Sequence, residues 1–259
     1  MKTIFLVTLV LACSLIKAAA QTISIDASSN DAYLLRANDY NTNMGVIRSE
    51  NGIILIDPMP GLTNLLALET VIADHFNHEK VFILNTHAHE DHTGGNSYFI
   101  ERGAVELNSA AVSADISLLL LKSHSPADTV IMHSSSNSIF VGDIYDTSWH
   151  PTFYAGGLAG FVSAIDAILA VSDEKTLIIP GHGEHTGKRE LQRYKENTLL
   201  WVERVKELNK AGKSVAQMTQ DDQLNKILRT FNPNSSTELP ERAVERFIER
   251  TLQVLVRES

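Results

Sequence analysis

Thr86-His87-Ala88-His89-Glu90-Asp91-His92-Thr93-Gly94-Gly95 sets three imidazoles and the Asp91 carboxylate within positions 87 to 92. The stretch directly follows Val81-Phe82-Ile83-Leu84, an apolar run with the character of a buried strand. A loop leaving a strand end lets closely spaced side chains converge on one point, which an extended strand does not. Neutral imidazole and carboxylate are ligands for zinc and related first-row ions. The segment therefore reads as a metal site that begins where a strand stops.

Outward from this loop, strands and helices alternate. Ala32–Arg36, Met44–Arg48 and Ile53–Ile56 read as strands, the last two joined by a tight turn at Asn51-Gly52. Asp57-Pro58 closes the third. Leu62, Leu65, Leu66, Leu68 and Ile72 recur at helical spacing over 62–76, and a further helix is expected over about 96–102. The second half repeats this grammar. Thr129–Met132 and Ile139–Val141 are strands flanking the turn 134–137, with Gly142-Asp143 ending the second. A helix over Phe161–Val171, a strand over Thr176–Ile179 and the turn Pro180-Gly181-His182-Gly183 follow. From Lys188 the chain is mainly helical, interrupted near Gly212 and Asn232-Pro233, and Leu199, Leu200, Trp201 and Val205 are expected to pack on the core. Such alternation predicts an α/β fold of sheet and helix layers.

The N-terminus reads differently. Lys2, the apolar stretch Ile4–Ile16 and Ala18-Ala19-Ala20 before Gln21 have the layout of a secretory signal peptide over 1–20, leaving one domain over 21–259. The apolar stretch is short for a membrane span, so export to the periplasm or medium without stable membrane insertion is the expectation. A lipid anchor at Cys13 is the lesser alternative. Cys13 is the only cysteine of the 259 residues, so cleavage leaves no thiolate for a disulfide, a metal or nucleophilic attack. Removing Lys2 and Lys17 leaves 20 basic against 31 acidic side chains, a formal −11. A surface of that sign repels phosphate backbones, which argues against nucleic acid and for a small-molecule substrate.

A pair of metals needs more donors than one loop holds. Candidates stand where α/β sheets place their sites, at strand ends: His124 after Leu118–Leu121, Asp143 after Ile139–Val141, and His182 after Thr176–Ile179. His133 competes with His124, and His185 with His182. His75 and His78 read as solvated, and His150, with Trp149 and Tyr154, as a possible pocket wall.

Taken together, these residues resemble the metallo-β-lactamase superfamily, from about Ala32 to about Glu190. His87, His89, Asp91 and His92 stand as its H-x-H-x-D-H motif, and His124, Asp143 and His182 as its later His, Asp and His. The resemblance implies an αβ/βα four-layer sandwich with two metals at one edge. It places His87, His89 and His124 on one ion, Asp91, His92 and His182 on the other, and Asp143 between them. Two zinc ions per chain are the expectation, with iron or manganese as alternatives. The 32 positions from His92 to His124 are fewer than the family usually has, which suggests an open cleft.

The implied activity is hydrolysis, with a bridging hydroxide attacking the carbonyl of an ester, lactone, thioester or lactam. Asp91 acts as a ligand alone or as a ligand and proton relay. No Gly-x-Ser-x-Gly signature competes. A bridging Asp looks more like the glyoxalase II and lactonase branches than true β-lactamases, and the Gly156-Gly157-Leu158-Ala159-Gly160 segment resembles exported hydrolases of diverse substrates. The rival readings are a β-lactamase proper, a mononuclear iron dioxygenase acting on a sulfur compound, and a metal-bearing binding protein. A monomer or homodimer is expected.

Overall fold

The computed structural model describes residues 23–27, 31–38, 40–77, 79–107, 114–231 and 239–258. The expected leader with Cys13, His78 and the Asn232-Pro233 break lie outside the described residues. One sheet is formed by β1 (Ile23–Ala27), β2 (Ala32–Ala37), β3 (Tyr40–Ser49), β4 (Gly52–Ile56), β5 (Val81–Leu84) and β6 (Val105–Glu106), in that spatial order. The second sheet is β7 (Ile116–Leu121), β8 (Asp128–His133), β9 (Ser138–Asp146) and β10 (Leu177–His182). The two meet where His182 of β10 pairs with Thr42 of β3.

The period of two along each strand sorts the apolar side chains into layers. In the first sheet Val46, Ile53, Leu55 and Ile83 face α1 (Leu62–Phe76) and α3 (Asn96–Ile100). Their neighbours Ile47, Ile54, Ile56 and Leu84 point the other way. They pack against Ile131, Phe140 and Ile179 of the second sheet. On that sheet's outer face Val130, Ile139, Val141 and Ile178 meet α4 (Gly157–Val171), α5 (Lys188–Lys210) and α8 (Glu241–Arg257). The result is helix, sheet, sheet, helix: the four-layer αβ/βα sandwich expected from the sequence. Burial on both faces explains why Ile53-Ile54-Leu55-Ile56 is apolar without alternation.

Several local expectations shift. β9 does not stop at Gly142-Asp143 but continues to Asp146, and Pro180–His182 belongs to β10 rather than to a turn. The cause is irregular register between these parallel strands, Ile179 pairing with Phe140, Pro180 with Gly142 and His182 with Asp146. Such bulges re-aim side chains without ending the strand. Among the described residues β7 pairs only with β8, at a sheet edge, and Leu120 is exposed, so the strand before His124 is an edge strand. Leu62 and Leu66 also face outward, while Leu65, Leu68 and Ile72 are buried. Of the helical tail, Trp201 and Val205 are buried and Leu200 is exposed.

Candidate metal centre

Strands β5, β7, β9 and β10 bring the polar groups together. β4 and β5 are parallel, as are β9 and β10, so each pair delivers its C-terminal residues to one edge. Beyond β5 the chain carries His87 and His89 into the one-turn helix α2 (Glu90–Thr93), on which Asp91 and His92 sit. The Asn85 side chain donates to the His92 carbonyl at 2.9 Å and holds that turn against the strand.

All seven residues singled out in the sequence converge, as two groups that share Asp143. His87, His89, His124 and Asp143 form one; Asp91, His92, His182 and Asp143 form the other, with donor atoms in each group within 4.8 Å of one another. In the first, His89 Nδ1 lies 3.0 Å from His87 Nε2 and 2.9 Å from His124 Nε2. Asp143 Oδ2 is 3.9 and 3.5 Å from the same two Nε2 atoms. In the second, Asp143 Oδ1 lies 3.2 Å from His92 Nε2 and 3.4 Å from His182 Nε2. Asp91 Oδ2 is 3.5 and 3.2 Å from those nitrogens. Asp143 thus turns one oxygen to each group.

These spacings suit a shared cation. Four ligands at roughly 2.0–2.1 Å from a tetrahedral ion stand about 3.3 Å from one another. The far nitrogens are already spoken for. His92 Nδ1 donates to Asp57 Oδ2 at 2.9 Å, His124 Nδ1 to Thr152 Oγ1 at 2.6 Å and His182 Nδ1 to the Asn41 carbonyl at 3.1 Å. His87 Nδ1 faces Thr86 Oγ1 at 3.2 Å, and that hydroxyl donates to Asp57 Oδ2 at 2.6 Å. With Nδ1 protonated in each ring, every Nε2 presents a lone pair to the centre. His92 Nε2 and Asp143 Oδ1 are buried without any hydrogen-bond partner. Unshared lone pairs gathered out of water are costly unless a cation accepts them, so the residues fit a metal.

The electrostatics agree. Burial drives His87 down to about 3, keeping it neutral. Burial opposes charge on His92 and His182 too, but Asp57 and Asp143 push the first up to about 10, and Asp143 and Asp91 push the second up to about 11. Burial would raise Asp143, yet His182 and His92 hold it well below the ordinary carboxylate range. The carboxylates therefore demand positive charge at this spot, which a divalent ion supplies in place of protons.

Other imidazoles stay away. His133 is buried at the end of β8 with its Nδ1 2.7 Å from Ser136 Oγ, and His185 is exposed. His75 bonds back to the Val71 carbonyl on α1. His150 is not part of the cleft lining: it lies flat on Phe247, ring centroids 4.1 Å apart at 5°, and burial drives it down to about 4. Tyr154 does reach the cleft, an opening of about 940 Å³ that runs from His89 and His124 to α8.

Two positioning residues went unread in the sequence. Asp57, which directly follows β4, holds His92 and accepts from both the Thr86 amide and hydroxyl at 2.8 and 2.6 Å. A charged side chain directly after Ile-Ile-Leu-Ile was the available signal. Asn43, 3% exposed in β3, donates to the Pro180 and Gly183 carbonyls at 2.8 Å each and so frames His182. Nothing local marked it, because its partners lie 137 and 140 residues away.

Residues 37–107 match the family model described as the metallo-beta-lactamase superfamily, a span that includes the motif 87–92 but not the three later donors. Among solved structures, the metallo-beta-lactamase DIM-1 is similar at a TM-score of 0.58 and 17% identity, covering 67% of this chain and 95% of that one. DIM-1 exposed to ceftazidime is similar at a TM-score of 0.54 and 18% identity, covering 67% and 95%. VMB-1 at pH 5.5 reaches 0.54 at 14% identity, covering 68% and 96%. At such identities the likeness establishes the fold. No curated protein matches the chain in sequence.

Proposed function

We propose that this chain, which has the metallo-beta-lactamase fold and matches that superfamily's model through its His-rich loop, is a dinuclear metal-dependent hydrolase of small acyl compounds. The observation that carries the reading is Asp143, whose two oxygens each complete a separate donor group. His87, His89 and His124 would hold one ion and Asp91, His92 and His182 the other, zinc being the expected metal for such nitrogen and oxygen donors. Ions bound there would supply a water ionised near neutrality and an electrophile for the substrate carbonyl.

The chain's own groups do the rest. Asp57, Thr152 and the Asn41 carbonyl orient the imidazoles, so that the donor groups keep their shape during turnover. Asp91 is the most open of the carboxylates at the centre, with 36% of its side chain exposed, and the neighbouring His182 holds it below its ordinary value. An ionised carboxylate at the mouth of the site can accept a proton from the attacking water and pass it to the leaving group. Esters, lactones, thioesters and lactams all fit this chemistry. We place the protein outside the cytoplasm on the strength of its leader-like residues 1–20, and among the described residues no helix is long and apolar enough to cross a membrane.

The test couples metal analysis to a substrate panel. About two zinc ions per chain are expected, with turnover of at least one of nitrocefin, lactones and thioesters by zinc- or manganese-loaded protein. A single iron per chain with oxygen consumption and no hydrolysis would overturn the reading in favour of an iron dioxygenase.

A further inference from the structure

The cleft that opens from His89 and His124 has a cationic far wall. Arg250 and Arg257, both on α8, line it together with Tyr154 and the apolar Leu252 and Val256. The two arginines are exposed, and none of the ion pairs among the described residues includes either. What holds them is Tyr154. The Arg250 guanidinium stands 4.6 Å from the Tyr154 ring centroid, and Arg257 Nη2 donates to the Tyr154 carbonyl at 3.0 Å. A guanidinium stacked on a ring, or tied by one N–H, keeps its remaining donors for a planar anion. Two such groups on a protein of formal charge −9 run against its overall field.

The same short segment reaches the metal centre. Thr152 Oγ1 accepts from His124 Nδ1 at 2.6 Å, two residues before Tyr154. Two residues of extended backbone span at most roughly 7 Å. An anion held by the arginines would therefore share one cleft with a carbonyl at His89 and His124, at a remove from it. Leu252 and Val256 offer an apolar side to the same cleft.

Building on the hydrolase reading, we propose that Arg250 and Arg257 select substrates carrying a carboxylate at the end of a short apolar arm, remote from the bond that is cleaved. They are specificity residues on the His89 and His124 side of the site and touch none of the seven metal-facing groups. The two guanidinium charges would also draw anionic substrates toward a surface that otherwise repels them.

Two measurements on the metal-loaded protein test this. Calorimetric titration compares 4-phenylbutyrate with its uncharged amide, and kinetics compare p-nitrophenyl esters ending in a carboxylate with the same esters ending in a carboxamide. The carboxylates are expected to bind about 10-fold more tightly or show a correspondingly lower KM. Arg250→Gln with Arg257→Gln should erase that preference while leaving kcat on the neutral ester unchanged, and added salt should weaken it. Should the double variant fold poorly, Arg250→Gln alone must show at least a threefold loss. Arg250→Lys should keep the charge but lose part of the affinity. Equal binding of acid and amide, or carboxylate binding indifferent to the arginines, would overturn the proposal and leave the hydrolase reading intact. Arginine-dependent carboxylate binding without hydrolysis of any ester would do the reverse.

Discussion

Asp57 occupies a left-handed backbone conformation, φ 51°, at the end of β4, a position that short polar side chains tolerate better than branched ones. From there it holds Thr86 and His92 at once. Replacing it with Asn keeps the shape but removes the charge that favours a cation and fixes the tautomer of His92. Asp57→Asn should weaken binding at the Asp91, His92, His182 group by about 10- to 100-fold, with a smaller change at the other group, as read by zinc titration. Gly181 matters for space. A Cβ there would overlap Asp143 Oδ1, while the neighbouring Gly142 lies at φ 52° against Thr86. Gly181→Ala should therefore displace Asp143 and lower affinity for both ions by about tenfold or more, although no donor is removed. Unaltered zinc binding in that variant would mean that Asp143 has freedom to move which the packing does not suggest.

Among the elements, α8 is the one whose place decides the cleft. Phe247 is sandwiched between His150, at 4.1 Å, and Trp201 of α5, at 4.2 Å, both nearly parallel to it, and Trp201 Nε1 donates to Thr251 Oγ1 at 3.0 Å. This stack locks α8 to α5 and to the loop after β9 that carries Thr152 and Tyr154. It also creates a pH dependence. Burial lowers His150 to about 4, from an ordinary value of 6.5, so the unfolded chain binds its proton first as pH falls. Its contribution is whole above pH 6.5 and is lost progressively between 6.5 and 4, an upper limit of about 3 kcal/mol. His150→Phe should flatten the loss of stability over that window, measured as melting temperature against pH relative to the parent. The sequence offered helical periodicity for the tail but no means of seeing this stack, since its members come from positions 150, 201 and 247.

For the whole molecule, the centre is a seam. The two sheets share one pairing, His182 with Thr42, and the donors come from both sides of it. Bound ions would therefore staple one half of the sandwich to the other. Ligands that bind only the folded state stabilise it by about 2.7 kcal/mol at a hundred times their Kd. Treatment with a chelator should lower the melting temperature by several degrees and zinc should restore it; a melting temperature indifferent to both would show that the donor groups bind no ion tightly.

The sequence alone determined the alternation of strands and helices and the candidate donors, with His133 and His185 standing as competitors. Strand and helix periods depend only on near neighbours, and clustered imidazoles at strand ends have few other uses. That reading reached His124, Asp143 and His182 although the family match stops at residue 107. Where β9 and β10 slip in register, which surface α8 covers, and how Asp57, Asn43 and the arginines of α8 reach the site were decided by the tertiary structure. Each of these depends on partners distant along the chain, and a side chain's role there is set by what packs against it rather than by its own neighbours in sequence.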